Sequence, residues 1–509
     1  MHTIAAISTP AGTGGIAVVR VSGNDALSLV DRLFRGKHAL REARGYSVHY
    51  GELRSGEEVI DEVLCTVFRA PHSFTGEDTV EIACHGSLYI QQAVMQALIE
   101  AGARMAGPGE FTQRAFLNGK MDLTQAEAVA DLIAAQSQAE KNLALQHLKG
   151  GISDAIQQLR DQLLHFTSLI ELELDFADHE ELEFADRSEL RQLAETIAQH
   201  LSELISSFRV GNAIKNGIPV AIIGATNAGK STLLNALLGE EKAIVSDIHG
   251  TTRDLIEDTL IIDGIQFRFI DTAGLRSTHD TIEEIGIQRT LSAARKAEIV
   301  LYVTALDEHS PQGEPLPESQ GSSSSEPMAE HPQGLLGSSS SEPIAEHPQG
   351  LLGSSSGKPM AENPQGLLGL SSDEPHGLLH EMGLDDIEAK LVRVYNKADL
   401  LPPSAPLPHD GICISALSGN LTELKQAIVK AAGVEQQSGT IISQARHYDA
   451  LVRAHEAIQR VMQGLSSGIS GEFLSMDLQD CLHALGEITG QISNDEVLGN
   501  IFSKFCIGK

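Results

Sequence analysis

The segment from 218 to 238 constrains the fold of this chain more than any other. The apolar run 218–223 predicts a buried strand that leads into residues 224–231, GATNAGKS, which fit the pattern GxxxxGK[ST] completely. In such a loop, backbone N–H groups curl around phosphate oxygens, the Lys reaches the β- and γ-phosphates, and the Ser hydroxyl can bind Mg²⁺. The apolar stretch 233–238 predicts a helix whose N-terminus faces the phosphates. The sequence therefore predicts a nucleotide-binding α/β unit, with a chance Gly-rich turn as the alternative for this motif alone.

Further motifs in the same order indicate which nucleotide is bound. DTAG at 271–274 follows the predicted strand 267–270, and there an Asp can hold Mg²⁺ while a Gly senses the γ-phosphate. GTTRD at 250–254 can supply a Thr that closes over the metal. NKAD at 396–399 offers a carboxylate that can accept from both guanine N1–H and the 2-amino group, which adenine cannot match. SAL at 415–417 fits the loop behind the base, so GTP is the predicted substrate.

One position departs from the pattern of many small GTPases. The residue after Gly274 is Leu275, where those proteins carry a Gln that orients the attacking water. Another group must therefore polarise the water and neutralise charge in the transition state. Glu283 is a candidate for polarising the water, and a cation near Asn227 is a candidate for the missing arginine finger. The alternative for Glu283 is a solvated helix residue.

The pattern of apolar residues divides the chain into zones. Residues 1–120 mix short β-branched runs with Gly and Pro, which is typical of an α+β domain. Residues 121–213 show helical periodicity, with a T-x-x-E capping-box pattern at 124. Residues 214–435 alternate strand and helix signals, as in a parallel α/β sheet, and helical periodicity returns over 436–509. We predict an α/β G domain inserted into one discontinuous helical domain.

A low-complexity insert interrupts the predicted G domain at 309–384. A 16-residue unit, GSSSSEPMAEHPQGLL at 321–336, recurs at 337–352 and in modified form at 353–368. Each unit offers too few apolar side chains to offset the entropy of ordering, so we predict disorder and not a stacked solenoid. The insert spares every nucleotide motif, and GTP hydrolysis is therefore expected to survive it.

Charge limits the ways in which this chain can bind nucleic acid. The chain has 37 Lys and Arg residues against 69 Asp and Glu residues, a formal net charge of −32. A general basic surface is thereby excluded. Contact with nucleic acid must be local or shared with a partner that brings positive charge.

Cysteine usage and hydropathy predict a cytoplasmic location. The five cysteines are scattered and include no CxxC pair, which fits a reducing compartment. No apolar run reaches the ~18 residues that a membrane span needs. The N-terminal residues resemble neither a signal peptide nor a transit segment.

Long strings in a fixed order identify a family resemblance. They are PAGTGGIAVVRVSG at 10–23, SFTGEDTVEI at 73–82, GPGEFTQRAFLNGKMDLTQAEAVADLI at 107–133, the motifs GATNAGKST, GTTRD and DTAGLR, and the final CIGK. In these the chain resembles the MnmE (TrmE) family of tRNA modification GTPases, over everything except the insert. The resemblance implies a folate-binding, dimerising N-terminal α+β domain, a discontinuous helical domain and an inserted P-loop G domain.

The resemblance also implies an activity and partners. Such proteins form homodimers and work with an FAD-containing MnmG-like protein in a heterotetramer or larger complex that holds the tRNA. Together they add aminomethyl or carboxymethylaminomethyl groups at C5 of the wobble uridine, with a 5-formyl- or methylene-tetrahydrofolate as one-carbon donor. Potassium-dependent pairing of two G domains triggers GTP hydrolysis.

Site residues can be carried over one by one from the matching motifs. The implied GTP-binding residues are Asn227, Ala228, Gly229, Lys230, Ser231, Thr232, Ser246, Asp247, Ile248, His249, Gly250, Thr251, Thr252, Asp271, Thr272, Ala273, Gly274, Asn396, Lys397, Ala398 and Asp399. The implied Mg²⁺ ligands are Ser231 and Thr252, the K⁺ ligands are Asn227, Ser246, Ile248 and Thr251, and Glu283 is the catalytic residue that polarises water. The implied folate-binding residues are Arg20, Glu81, Lys120 and Lys509.

Three of the four folate residues have a structural alternative. Arg20 and Glu81 lie on predicted strands and could form a cross-strand ion pair, and Lys509 could be a solvated tail. Cys506 could be chemically active or merely structural. At the level of function, the alternative to a tRNA-modifying enzyme is a regulatory or assembly GTPase, which would need no folate site.

Overall fold

A computed structural model of the chain describes residues 2–175, 187–239, 258–270, 292–306, 389–402, 407–408, 410–433, 439–493 and 495–508. The predicted insert at 309–384 lies outside these residues. Within the described ranges, no helix is both long and apolar enough to cross a membrane.

A seven-stranded sheet begins the chain. Its strands are β1 (Ile4–Ile7), β2 (Gly14–Ser22), β3 (Phe34–Gly36), β4 (Ser47–Ser55), β5 (Glu58–Phe68), β6 (Thr79–Gly86) and β7 (Arg104–Met105), in the order β3-β4-β5-β6-β2-β1-β7. Side chains alternate between the two faces of a strand. In β2, Val19 and Val21 are therefore buried in the core with α1 (Ala26–Leu33) and α2 (Leu88–Glu100), whereas Arg20 faces Phe111 of α3 (Glu110–Leu117).

Four helices follow the sheet: α4 (Leu123–Ala134), α5 (Gln138–Leu148), α6 (Gly151–Asp175) and α7 (Arg187–Asn216). The capping box of α4 is formed by Asp122 and Gln125, each of whose side chains accepts the backbone N–H of the other. The capping box predicted at Thr124 and Glu127 is therefore wrong. The Asp122 carboxylate is the stronger acceptor for free N–H groups, and Glu127 is bound elsewhere by Arg446.

The α/β unit contains a six-stranded sheet in the order β13-β12-β11-β8-β10-β9. The strands are β8 (Ile218–Gly224), β9 (Asp258–Ile262), β10 (Ile265–Phe269), β11 (Ile299–Ala305), β12 (Lys390–Asn396) and β13 (Ile412–Cys413). The helices include α8 (Lys230–Gly239) and α9 (Thr422–Ala432), and residues 292–296 are also helical. All pairings are parallel except that of β9 with β10. Loops that leave the carboxyl ends of β8 and β12 therefore meet at one edge of the sheet.

Helices on both sides of the α/β unit share one core. The chain ends with α10 (Ala445–Ser467), α11 (Gly471–Thr489) and α12 (Asp495–Phe502). Ile156 and Phe166 of α6 and Leu201 of α7 pack in one buried cluster with Ile458 of α10 and Leu485 of α11. This packing confirms the prediction of a discontinuous helical domain that carries an inserted α/β domain.

A buried ionic cluster fastens the two helical segments together. Arg446 donates to both carboxylate oxygens of Glu127, at 3.1 and 2.9 Å, and His447 Nε2 lies 2.8 Å from Glu127 Oε2. Glu127 is 8% exposed and His447 1% exposed. Burial acts to raise the pKa of Glu127, but the adjacent His447 and Arg446 outweigh it and lower that pKa to about 2.

The α/β unit contacts the helices at its entry and exit points. The backbone N–H of Ile442 donates to Ser207 Oγ at 3.0 Å, and a Cβ on Gly211 would lie 2.1 Å from the Ile442 carbonyl oxygen. The turn between β9 and β10 also reaches α5, where the backbone N–H of Ala139 donates to the Gly264 carbonyl at 3.0 Å. The entry and exit of the inserted unit are therefore adjacent, and a third contact holds its far hairpin.

Candidate functional site

The loop after β8 has the backbone conformation that a phosphate loop needs. Gly224 has a φ of 145°, and a Cβ there would lie 2.0 Å from the Val303 carbonyl oxygen. Asn227, with a φ of 64°, and Gly229, with a φ of 89°, also occupy the left-handed half of conformational space. Only glycine fits the first position, because any side chain would collide with the backbone of β11.

Lys230 begins helix α8 and its ammonium folds back over the loop. Its Nζ donates to the carbonyl oxygens of Gly224, at 2.9 Å, and Ala225, at 2.7 Å. Partial burial lowers the pKa of Lys230. The ammonium thus lies beside the backbone that would surround an anionic phosphate, with neutral carbonyl groups as its hydrogen-bond acceptors.

Asn396 connects the phosphate loop to the predicted base-recognition segments. Its Nδ2 donates to the Ala228 carbonyl at 2.9 Å, and its Oδ1 accepts the backbone N–H of Ala416 at 3.0 Å. The residue is only 2% exposed, and a Cβ on Gly229 would lie 2.2 Å from Asn396 Nδ2. One side chain therefore brings together three segments that are far apart in the sequence.

The other residues predicted to recognise the base lie close to this contact in the sequence. Lys397 has a φ of 66°, which turns the chain at the end of β12, and the backbone N–H of Ala398 donates to the Ile414 carbonyl at 3.0 Å. Asp399 is exposed, whereas Ala416, in the loop predicted to lie behind the base, is buried. A carboxylate on the solvent side of this loop can accept hydrogen bonds from a planar donor edge such as that of guanine.

Of the other residues predicted for the nucleotide site, the structure describes Ser231 and Thr232 but not those of the later motifs. Ser231 and Thr232 lie in the first turn of α8. The predicted residues 246–252, 271–274 and 283, which include Ser246, Asp247, Ile248, His249, Gly250, Thr251, Thr252, Asp271, Thr272, Ala273, Gly274 and Glu283, lie outside the described residues. In the part of the chain that is described, no group of three or more His, Cys, Asp or Glu residues could hold a metal ion.

Two of the predicted folate residues, Arg20 and Glu81, form a second polar site on the N-terminal sheet. Arg20 and Glu81 are directly opposite each other on β2 and β6, and their side chains pair at 2.8 and 2.9 Å. The guanidinium carbon of Arg20 also lies 5.4 Å from the ring centre of Phe74 and 5.6 Å from that of Phe111. The cross-strand ion pair that was the alternative reading of these residues is thus present, and it is flanked by two aromatic rings.

The end of the described chain returns to the same sheet. Ile507 forms a β-bridge with Pro108, and Ser8 Oγ donates to the Gly508 carbonyl at 3.2 Å. Lys509 is the next residue and lies outside the described residues. Lys120 is exposed and its Nζ donates to the Pro71 carbonyl at 3.0 Å. The last described residues therefore lie at the end of β1, beside the strand that carries Arg20.

Sequence reasoning missed the residues that order this second site. Arg114 is 3% exposed and donates to both carboxylate oxygens of Glu77, at 3.2 and 3.0 Å. Asn118 Nδ2 donates to the Thr75 carbonyl at 2.7 Å. These bonds fasten the loop that carries Phe74 to helix α3. The sequence does contain one signal for this site: Arg114 is a charged residue at a position of the short amphipathic helix α3 where an apolar residue would be expected.

Comparison with known proteins agrees with this geometry. A glycine-rich loop after β8, tied by Asn396 to an NKAD segment, defines the class of P-loop GTP-binding proteins. Two family models match the chain: the one described as "GTP-binding protein TrmE N-terminus" over residues 3–120, and the one described as "MnmE helical domain" over residues 123–506. The chain belongs to the MnmE family of tRNA modification GTPases.

Full-length relatives support the same assignment. The tRNA modification GTPase MnmE of Parabacteroides distasonis is 50% identical, with all of both chains covered. The protein of the same name from Bacteroides thetaiotaomicron is 49% identical, covering 100% of this chain and 99% of its own. The protein of that name from Christiangramia forsetii is 43% identical over 100% of this chain and 99% of its own.

Among solved structures, the chain is similar to a GTP-binding protein from Sulfolobus solfataricus in complex with GDP. The sequence identity is 15%, and the match covers 54% of this chain and 67% of the other. The TM-score of 0.21 is too low to support an inference about fold or ligand.

Proposed function

We propose that this chain is a GTP-hydrolysing enzyme of tRNA modification that acts on C5 of the wobble uridine. The observation that carries the proposal is the buried side chain of Asn396, which unites the phosphate loop with the guanine-recognition segments in a chain of the MnmE family. Hydrolysis of GTP would drive movement of the α/β unit, whose entry and exit segments lie side by side against the helices.

Magnesium and potassium are the proposed cations of the nucleotide site. Ser231 and Thr252 would hold Mg²⁺, which neutralises charge on the phosphates. Asn227, with Ser246, Ile248 and Thr251, would hold K⁺ in place of an arginine finger, and Glu283 would polarise the attacking water. Asn227 supports this assignment because its left-handed backbone places it on the exposed outer side of the phosphate loop.

A tetrahydrofolate, in its 5-formyl or methylene form, is the proposed one-carbon donor at the N-terminal sheet. A pterin has an amide-like donor edge that suits the Glu81 carboxylate, and the anionic tail of a folate suits Arg20, Lys120 and Lys509. Phe74 and Phe111 support the proposal, because aromatic rings beside the Arg20 guanidinium can pack against a flat heterocycle.

Partners are proposed from the family and from an exposed apolar face. Val48 and Tyr50 on β4 and Leu64 on β5 are 60%, 63% and 46% exposed, and Tyr50 lies opposite Leu64 in the register. A second copy of the chain covering this face would form a homodimer through the N-terminal domains. The proposed complex adds an FAD-containing MnmG-like protein, which would bring the tRNA. The cytoplasm is the proposed compartment.

The decisive experiment is deletion of the gene in its host, followed by mass spectrometry of the wobble nucleosides of tRNA. Loss of 5-carboxymethylaminomethyl-type uridines, restored by the wild-type gene and not by Asp271→Ala, is the expected result. An unchanged nucleoside profile would contradict the proposal and favour a regulatory GTPase. In parallel, folate binding by the full-length protein should be lost in Arg20→Ala and in Glu81→Gln.

A further inference from the structure

The N-terminal domain carries a concentration of positive charge that is unusual in so acidic a chain. Residues 32–44 contain five Lys or Arg residues and one acidic residue, Glu42, although acids outnumber bases by 69 to 37 in the whole chain. The five basic residues are all exposed. We call them the basic edge: Arg32, Arg35, Lys37, Arg41 and Arg44.

The basic edge lies on and beside an edge strand of the N-terminal sheet. Arg35 is part of β3, which pairs only with β4 and ends the strand order. Lys37 follows β3 directly, and Arg41 and Arg44 lie in the connection to β4. Arg32 lies in the last turn of helix α1, just before β3, so the five positive side chains all belong to the single stretch of chain from the end of α1 through the edge strand to the start of β4.

Little of this charge is neutralised within the described part of the chain. The Arg32 guanidinium donates to the Ala101 carbonyl, and that of Arg35 donates to the carbonyls of Arg32 and Phe34. Only Arg41 has carboxylate neighbours among the described residues, Asp31 at 3.6 Å and Glu42 at 3.9 Å. Carbonyl groups orient a guanidinium but leave its full positive charge available to an anion.

The segment that displays these side chains is held firmly. Asp31 Oδ1 accepts the backbone N–H of Leu40, and Arg69 donates to the carbonyls of Arg41 and Ala43. A Cβ on Gly36 would lie 2.5 Å from the Phe34 ring, so the strand is packed closely there. The backbone that carries the positive side chains is therefore fixed, which reduces the entropy lost when a rigid anionic partner binds.

An edge strand can carry charge simply to prevent edge-to-edge aggregation. That explanation accounts for one or two charges on the strand itself, but the basic edge continues eight residues beyond Gly36, to Arg44. An exposed aromatic ring, that of Tyr46, follows at once and is 71% exposed. Basic residues combined with an exposed aromatic are the features that bind the backbone and unpaired bases of RNA.

We propose that the basic edge contacts the sugar–phosphate backbone of the tRNA substrate. This inference rests on the proposed function, because it assigns a surface to the substrate of that reaction. The inference also explains how a chain with a net charge of −32 can bind a polyanionic substrate. Five Lys and Arg side chains that are unpaired or weakly paired can make several phosphate contacts locally.

The test compares two triple variants of the full-length protein that change net charge equally. The first is Arg35→Gln, Lys37→Gln and Arg44→Gln, which removes three bases of the edge. The matched control is Lys149→Gln, Arg295→Gln and Lys296→Gln, which removes three exposed bases on other elements. The probe is an unmodified tRNA transcript with a wobble uridine, and its Kd is measured by fluorescence anisotropy at several salt concentrations.

In the edge variant, the slope of log Kd against log salt should fall by about three, and the affinity should fall roughly tenfold or more. The control should keep the wild-type slope, and both variants should keep the wild-type rate of GTP hydrolysis. The proposal is overturned if both triples lose the same affinity, if the edge variant binds like wild type, or if the wild-type protein binds no tRNA.

A cellular arm separates this inference from the proposed function. If the wild-type gene fails to restore wobble-uridine modification in the deletion strain, the proposed function itself fails. If the wild-type gene and the edge variant restore modification equally, and their salt slopes also agree, only the basic edge is refuted. The expected result is full restoration by the wild type and by the control, with reduced modification in the edge variant.

Discussion

Asn396 donates a 2.9 Å hydrogen bond to the carbonyl oxygen of Ala228, although 168 positions separate the two residues in the sequence. The same side chain accepts the backbone N–H of Ala416. The side chain of Asn396 therefore couples the phosphate loop to the loops that are predicted to recognise the base. A change at this one amide should disturb both.

Replacing Asn396 by Ala should weaken the nucleotide site and the fold around it. The change leaves the Ala228 carbonyl and the Ala416 N–H buried without partners, at a cost of about 2–4 kcal/mol. Hydrogen exchange of the peptide that contains Ala416 should become faster, and the affinity for GTP should fall. Asn235→Ala, on the exposed side of α8, is the control. Unchanged exchange at Ala416 would contradict the bridging role.

Gly229→Ala should be far more damaging than Gly239→Ala, although both lie at α8. A Cβ on Gly229 would lie 2.2 Å from Asn396 Nδ2, in a backbone conformation with a φ of 89° that disfavours side chains. At Gly239, no atom lies within 4 Å of the added methyl group. Thermal unfolding should show a loss of roughly 2 kcal/mol or more for the first variant and little change for the second. Equal melting temperatures would refute this close contact.

The Glu127 cluster should make the chain sensitive to acid. The folded pKa of Glu127 is about 2, below its ordinary value, so its stabilising effect is complete above the unfolded pKa. It is lost as the pH falls from about 5 towards 2, and it amounts to about 3 kcal/mol. Glu127→Gln should destabilise the protein at neutral pH and flatten this part of the stability profile.

Urea unfolding at a series of pH values measures the effect of Glu127. Glu189→Gln, an exposed change on α7, should keep the wild-type profile. If Glu127→Gln and the wild type lose stability in parallel between neutral pH and acid, the carboxylate does not have the depressed pKa described above.

The cysteines should differ sharply in reactivity. Cys506 is exposed, whereas burial raises the pKa of both Cys65 and Cys481 to about 12. Because the thiolate is the reactive form, a maleimide or iodoacetamide should label Cys506 in the native protein, and Cys65 and Cys481 only after unfolding. Mass spectrometry of labelled peptides over time provides the measurement. Native labelling of Cys481 at the rate of Cys506 would show that the helical core opens.

The sequence was sufficient for features that depend on local pattern. The strand, loop and helix around Lys230 follow a continuous motif, and the return of helical periodicity after 436 predicted a shared helical domain. These features can be predicted from the spacing of apolar residues and the positions of glycines within a short stretch of sequence.

Features that depend on distant residues could not be predicted. Glu127 fitted a capping box by its local pattern, but Arg446, 319 positions away, binds its carboxylate in the structure. The ion pair of Arg114 with Glu77, beside Arg20 and Glu81, likewise joins two segments of the chain, and the apolar pattern of one segment gives no information about the other. A tertiary ion pair leaves no periodic signal in either segment, so its partners become visible only in the folded chain.

The adjacency of Ser207 and Gly211 to Ile442 has a consequence for the order in which the protein assembles. The core shared by α6, α7, α10 and α11 cannot close until residues 217–444 have been synthesised. An unstructured loop of that length would impose an entropic penalty on closure, which rises with the logarithm of its length. Once the inserted unit has folded, its two ends lie side by side. The helices before and after it then need only a short-range search to pack together. We therefore expect the inserted unit to fold before the helical core closes around its two ends.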